Sequence, residues 1–561
     1  MNQFSEDAEL LPPGLHGYRK HLGTTTALLE MQESVQQEVE RGNIVAVAFL
    51  DISAGFDTVP HTYMLRKMEM IGYEPSAIRW MSSYLENRTQ VVKVETAYSE
   101  EDTIKKGVPQ GGPMSPIIFR DYTMDIIMAI FDSQDWRDGR KEDKERIEKH
   151  LAEGTPMGVW GGEVSERSLT KEIKDKEDKW DLRIAFEKKY EMFRMEEKTG
   201  IGPERRQVEK YEGSSRANLY ADDSSARESA KTLGELREKT ERMLAKLFNI
   251  MRKNRLAVNT GKTQMLCLRT PQKKRWMKEN NDPGNLKLKI EGKEIEEKSS
   301  GKLLGLIWSS NLDWQDHLND VVERFNEKSR GIMKVSCWLS FKRRKELVES
   351  SLVSILRYGI ELTSGGSKKI TERLGRLQSQ AARLVLQCGR RKWSRSEGLK
   401  TLGWLTIPQM AAEASMRTFL KIMQTKRPQS IYEWISDKDG EIRTLSTAEV
   451  KRMTIIRRKS WLVRCLRWAK WLPAELKNGD ITREGKKRRL KKWVRTIIPP
   501  QGDKVYHGKL LPDLVSDKGR QTEEEFENPD TWLRGELEQI SRNVEIFHLE
   551  EMGEPNSLGR S

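Results

Sequence analysis

The stretch IVAVAFLD, residues 44–51, decides the fold. Seven residues run without a polar interruption, and Ile44, Val45 and Val47 are β-branched. A run of this length and composition reads as a strand buried on both faces. It ends directly in Asp51. Working outward, 23–41 reads as a helix stopped by Gly42, and a short helix follows Asp51. Helices are expected over 61–71, 76–86 and 115–130, with an alternating strand at 89–96 and a turn-rich loop, GVPQGGP, at 107–113. Residues 216–227 have the shape of a hairpin, and 231–254 read as a helix. The pattern is helical from about 317 to 424, with Leu374, Leu377, Ala381, Leu384 and Cys388 lining one face.

At 561 residues the chain is too long for one core, so two to four domains are expected. Hydrophobic residues make up 36% and charged residues 33%, which implies much solvated helix or loop and excludes a multispan membrane protein. No apolar run of 18 residues occurs, and the acidic start MNQFSEDAEL has no signal-peptide character. Four scattered cysteines form no CxxC pair, which excludes a disulfide scaffold and suits a reducing compartment.

The net charge of +15 calls for an acidic partner, and nucleic acid is the commonest. From Lys451 to Ile498 there are 17 Lys and Arg against three acids, Glu475, Asp480 and Glu484. Trp461, Trp468, Trp471 and Trp493 lie inside this segment. Lys and Arg follow a phosphate backbone, and indole faces stack on bases. Trp461, Cys465, Trp468 and Leu472 also follow helical spacing, so some of these rings are expected in a core. Residues 132–217 hold 22 acids and 20 bases and read as an inserted, solvated excursion. The last 50 residues turn acidic and read as a tail.

Three acids stand out by context: Asp51 at a strand end, and the adjacent pair in YADD, Asp222 and Asp223. Acids at strand ends and hairpin tips can converge at a sheet edge. Such a set suits Mg²⁺, which takes oxygen ligands and completes its shell with substrate phosphates. Two such ions about 3.5–4 Å apart clamp an in-line phosphoryl displacement. An Asp-Asp pair alone is weak support in a chain with 85 acids.

Its companions occur in order. FLDISAGFD (49–57), GVPQGGPMSP (107–116) and YADD (220–223) resemble the successive palm motifs of LINE-type (non-LTR) retrotransposon reverse transcriptases. The flanks LPPGLHGYRKHLGTTTALLE (11–30), NRLAVNTGKTQML (254–266) and GKLLGLIW (301–308) resemble that family's pre-palm, lysine and primer-grip segments, and 347–407 resembles its post-palm region. The resemblance implies an α+β, right-hand polymerase palm with a helical thumb and a basic helical C-terminal region. The expected division is 1–42 remnant of fingers, 43–131 and 218–310 palm, 132–217 insertion, 311–430 thumb, 431–512 basic Trp-containing region and 513–561 acidic tail.

It further implies an RNA-directed DNA polymerase that takes deoxynucleoside triphosphates, an RNA template and a DNA primer, with two Mg²⁺ ions or Mn²⁺. No membrane partner is expected, and an intracellular, nuclear and cytoplasmic location is. Asp51 and Asp222 would ligate metal with the Ile52 carbonyl, and Asp223 would complete the acidic pair. Phe56 falls at the steric gate that excludes a ribose 2′-OH, the alternative being a core ring. Gln110 and Gly111 would contact the incoming nucleotide and template, and Lys262 would lie near the leaving pyrophosphate. Arg19 and Tyr18 are placed near template or primer, and His61 reads as a cap or core residue. The match also has departures. The chain starts just before HGYR, without the earlier finger motifs, Leu15 stands in a usual Gln position, and 132–217 separates two motifs. Neither the endonuclease domain nor an RNase H signature is seen. The alternative reading is therefore a catalytically inactive, retrotransposon-derived nucleic-acid-binding protein.

Overall fold

The computed structural model describes residues 2–7, 11–53, 55–131, 216–221, 223–258, 263–280, 284–290, 292–365, 368–388, 394–477 and 483–497. The expected excursion lies outside these residues except for Arg216 and Ala217, which begin a strand, so its C-terminal limit moves back to 215. The tail 513–561 lies outside them altogether. The chain divides into two compact units at Gly305 and Leu306.

The first unit is built on a mixed sheet. Its strand order is Lys287–Ile290, Lys293–Lys298, Gln264–Leu268, Ile44–Ser53, Asp223–Ala230 and Arg216–Tyr220. The pair Lys293–Lys298 with Gln264–Leu268 is parallel, and the other pairings along this path are antiparallel. The short strand Ala257–Val258 also pairs with the far end of Ile44–Ser53. IVAVAFL is thus a central strand, which explains why it has no polar alternate positions: Ile44 to Leu50 are all buried. Ile44, Ala46, Ala48, Leu50 and Ile52 join a core with Phe119, Tyr122 and Ile126 of helix Ser115–Phe131 and with Leu236, Leu244 and Leu247 of helix Leu233–Lys253. The residues 89–96, expected as one strand, form two fragments, Thr89–Gln90 and Lys93–Val94, in separate two-stranded hairpins. All eight residues from 89 to 96 are exposed, so no core holds a longer strand straight.

Helix Ser115–Phe131 is fixed by buried polar clips. Lys67 Nζ donates to Asp125 at 2.9 Å, and Asn254 Nδ2 donates to both oxygens of the same carboxylate at 3.1 and 2.9 Å. Burial pushes the Lys67 ammonium below its ordinary value, and Asp125 opposes that. A buried pair of this kind contributes orientation more than stability.

The second unit is helical, with Gln315–Ser336, Phe341–Val348, Lys368–Leu386, Arg395–Leu402 and Ile407–Thr425 as its first main helices. The buried stripe of Lys368–Leu386 runs Ile370, Leu374, Leu377, Gln378, Ala381 and Val385. Leu384 and Cys388 are only half-buried; Cys388 lies past the end of the helix at Leu386, and the buried Gln378 donates to the Leu405 carbonyl at 2.7 Å.

Three of the four tryptophans in the basic segment are core residues. Trp461, Trp468 and Trp493 are buried, and Trp471 is half-buried with its carbonyl accepting from Trp493 Nε1 at 2.8 Å. Helix Trp461–Ala469 turns this apolar face inward, as the 3.6 spacing requires, so these buried rings are not offered to bases. Arg464 is also internal and donates to the Glu361 carbonyl at 2.6 Å. Exposed charge remains on helix Arg483–Ile497, at Lys487, Arg488 and Arg495, and ahead of it at Lys451, Arg452, Lys459, Lys470 and Lys477. Trp461→Ala should therefore act on stability, costing about 3–5 kcal/mol as a large core deletion. Lys487→Ala with Arg488→Ala should leave the melting temperature unchanged and flatten the salt dependence of nucleic-acid binding. Thermal melts and salt titrations of labelled RNA check both outcomes.

Candidate active site at the end of the central strand

The site is assembled by strand register. Asp51 is the Cα partner of Asp223 across the antiparallel pair, at the end of a ladder that starts at Ile44 and Ala230. Residues 172 positions apart therefore meet at one sheet edge. The hairpin that brings Asp223 there is tight: Tyr220 pairs with Asp223, and Ala221 between them has φ +54. A two-residue connection with a left-handed first residue suits the right-handed twist of the strands it joins. Asp223 is exposed. Asp222, the second residue of the turn in sequence, lies outside the described residues, as does Lys262. The segments flanking 259–262 both pair with the central strand, Val258 with Ile52 on one side and Gln264 with Phe49 on the other.

The loop 107–112 docks beside this edge through its backbone. Gly107 N donates to the Val59 carbonyl at 2.7 Å, and Val108 N donates to the Phe56 carbonyl at 2.8 Å. Gly107 has φ +90, and a Cβ there would lie 2.8 Å from the Asp57 carbonyl oxygen, so glycine is required on both counts. His61 Nε2 is 2.7 Å from the Gly107 carbonyl oxygen, which gives it a structural part beside the loop. Gln110 Nε2 donates to both carboxylate oxygens of Asp57, at 3.0 and 3.2 Å. Ser115 Oγ donates to the Pro109 carbonyl. Gly111 is exposed at φ +88, with open space where a Cβ would stand.

Phe56 sits on the turn Gly55–Thr58, directly after the strand. Its ring stacks on Phe119 at 4.5 Å and 16° and meets Tyr18 edge-on at 6.4 Å and 89°. It is half-buried, with a packed side and a solvent side.

Arg19 and Asp57 both have their side chains engaged within the protein. The Arg19 guanidinium donates to the carbonyls of Pro12 at 3.1 Å and Leu15 at 3.3 Å and pairs with Glu6 at 3.4 Å. Its side chain closes its own segment, donating to three backbone carbonyls of the irregular turn. Asp57, outside the set of residues expected at the site, is the one that holds Gln110. It is the last letter of FLDISAGFD, and nothing in the sequence places it beside residue 110.

The segment 14–17 has a role the sequence did not reveal. It lies along the outer strand of the hairpin, with Leu219 N donating to the Gly14 carbonyl and His16 N donating to the Leu219 carbonyl, both at 2.9 Å. A Cβ on Gly14 would be 2.4 Å from the Ala217 carbonyl oxygen, and one on Gly17 would be 2.8 Å from Ala221 N. Behind it, His16 Nε2 is 2.5 Å from Glu30 Oε2, and Asn218 Nδ2 donates to that same oxygen at 3.0 Å. Arg227 donates to Asn218 Oδ1. Burial, together with the nearby Arg216, pulls Arg227 down to about 9, while Glu30 and Glu38 hold it up. This buried polar network fixes the hairpin relative to helix Thr24–Glu40.

The donor set at the strand end is carboxylate oxygen, which suits a hard divalent cation such as Mg²⁺. Among the described residues no group of three or more His, Cys, Asp or Glu is gathered to hold a metal, and the third acid of the expected set is Asp222. Among the described residues no helix is long and apolar enough to cross a membrane.

Residues 1–135 match the family model of reverse transcriptase (RNA-dependent DNA polymerase). The probable RNA-directed DNA polymerase from transposon BS of Drosophila melanogaster is 25% identical over 126 residues, 22% of this chain and 14% of the relative. The polymerase from mobile element jockey of the same organism is 30% identical over 116 residues, 21% of this chain and 13% of the relative. The Pol polyprotein from type-1 retrotransposable element R2 of Popillia japonica is 25% identical over 126 residues, 22% of this chain and 18% of the relative. The matched stretch is thus under a fifth of each of these relatives. The hairpin bearing Asp223 lies beyond residue 135, and its link to the matched stretch is the strand register. Residues 1–135 are thus similar to the reverse transcriptase family, and about a fifth of the chain is similar to RNA-directed DNA polymerases of mobile elements.

Proposed function

We propose that this chain is an RNA-directed DNA polymerase that extends a DNA primer on an RNA template. The observation that carries the reading is the register of Asp51 against Asp223 at the end of the central strand, beside the docked loop 107–112. Asp51, Asp222 and Asp223, with the Ile52 carbonyl, would hold two divalent cations, which supply charge stabilisation for phosphoryl transfer. The chain's own residues orient the substrates. Gln110, braced by Asp57, presents its amide at the loop surface for the incoming nucleotide and template base. Gly111 leaves the backbone accessible there. Phe56, pinned by Phe119, fills the space a 2′-OH would need, and Lys262 would face the leaving pyrophosphate. Arg19 serves by closing the segment that buttresses the hairpin. The basic exterior of 483–497 supports nucleic-acid contact, and an intracellular location follows from that substrate.

Primer extension by the full chain on an RNA template with Mg²⁺ or Mn²⁺ tests the reading against that of an inactive binding protein. Extension with deoxynucleotides supports it; template binding without extension under both metals overturns it. In the active protein Phe56→Ala should raise ribonucleotide incorporation relative to deoxynucleotide by about tenfold or more, the scale of losing a steric clash. Unchanged sugar selectivity with activity retained would make Phe56 a packing residue alone.

A further inference from the structure

The turn between helices Gln315–Ser336 and Phe341–Val348 presents the most exposed large apolar side chain among the described residues, Trp338, at 86%. Met333, Val335 and Phe341 are exposed beside it in sequence. An indole left in water is unusual enough to need a reason. The turn is no frayed end. Arg344 is buried beneath it and donates to the carbonyls of Ser336 at 3.1 Å, Leu339 at 3.0 Å and Val385 at 2.7 Å. Gln387 adds a bond to the Ser336 carbonyl at 3.3 Å, and Ser340 caps the second helix. One buried guanidinium therefore ties two carbonyls of the turn to one of helix Lys368–Leu386, and the outward product of the turn is an aromatic ring. Its charge is mainly of one sign, with Lys345 paired to Glu349 at 3.8 Å on the second helix. From Lys328 to Lys345 there are seven Lys and Arg and no Asp or Glu. Of these, Lys328, Arg330, Lys334, Lys342 and Arg343 are exposed, with Arg343 paired to Glu346 at 3.1 Å.

We propose that this turn is a single-stranded nucleic-acid contact, in which Trp338 stacks on an unpaired base and Lys334 and Lys342 meet the flanking phosphates. An exposed ring among mainly basic residues matches a base flanked by phosphates, since stacking is indifferent to sequence and the charges follow the backbone. The buried tryptophans of the 451–498 segment cannot supply this stacking, which separates the two basic surfaces in kind. The contact goes beyond the polymerase reading and does not depend on catalysis.

The test is binding of the full chain to a labelled single-stranded RNA or DNA oligonucleotide and to an abasic strand of the same length, read by fluorescence anisotropy. Trp338→Ala should weaken binding to the base-bearing strand about tenfold, the scale of one lost stacking contact, with an unchanged melting temperature. Trp338→Phe should retain most of the affinity, and the abasic strand should bind all three proteins equally. Lys334→Ala with Lys342→Ala should weaken both strands and lower the salt slope by roughly 1 to 1.5. Equal affinity of Trp338→Ala and wild type for the base-bearing strand overturns the proposal. So does self-association or capture of an acidic protein that Trp338→Ala abolishes while oligonucleotide binding is untouched, which would make the turn a protein interface.

Discussion

Asp51→Asn and Asp223→Asn should each reduce primer extension by at least about 10³-fold while leaving the fold intact. The two positions are Cα partners at the open end of a ladder whose other members are apolar or buried. Losing one ligand charge where phosphoryl transfer develops negative charge removes several kcal/mol, and each 1.36 kcal/mol is a factor of ten. Neither substitution deletes core volume, and asparagine preserves shape, so the melting temperature should stay within a few degrees. Single-turnover extension with saturating primer–template separates this loss from a binding defect. A variant that retains a tenth of wild-type activity would remove its carboxylate from the reacting centre.

Gly14→Ala should destabilise the first unit by about 2–4 kcal/mol, because it adds left-handed strain to a steric overlap. Its φ is +86, and the new Cβ would stand 2.4 Å from a backbone oxygen of the hairpin's outer strand, which cannot swing aside as a side chain could. At about 2–4 °C per kcal/mol for a unit of this size, the melting temperature should drop by roughly 5–15 °C. Gly17→Ala meets Ala221 N at 2.8 Å, so its smaller stability cost falls on the turn that precedes Asp223. It should lower primer extension more than it lowers stability. Gly234→Ala, with nothing within 4 Å on an exposed helix turn, is the control and should be neutral or slightly stabilising. Differential scanning of the three variants beside primer extension reads both effects. A Gly14→Ala protein as stable as wild type would mean that the 14–17 segment does not press on the hairpin.

The central strand and the hairpin were legible because their signals are local. An uninterrupted apolar run can only be a fully covered strand or a helix fragment, and its length decides. The tryptophans were legible in part: 3.6 spacing placed Trp461 and Trp468 inside, whereas nothing local placed Trp493 there. Two features of the site were not legible. The 14–17 buttress depends on backbone bonds to Leu219, some two hundred residues away, and glycine spacing alone does not name the surface that comes close. The Asp57–Gln110 bond joins two motifs that were each read singly, and only docking of loop 107–112 makes them neighbours. Arg19 illustrates the converse: an arginine in a motif invites a phosphate, yet here the carbonyls of its own turn take its hydrogen bonds.

If Asp51 and the hairpin acids form one divalent-cation site, Mn²⁺ binding followed by electron paramagnetic resonance detects it without requiring turnover. The full chain should bind Mn²⁺ in competition with Mg²⁺, and Asp51→Asn and Asp223→Asn should each lose the same bound fraction although the residues are 172 positions apart in sequence. Bound Mn²⁺ unchanged in both variants would contradict the account.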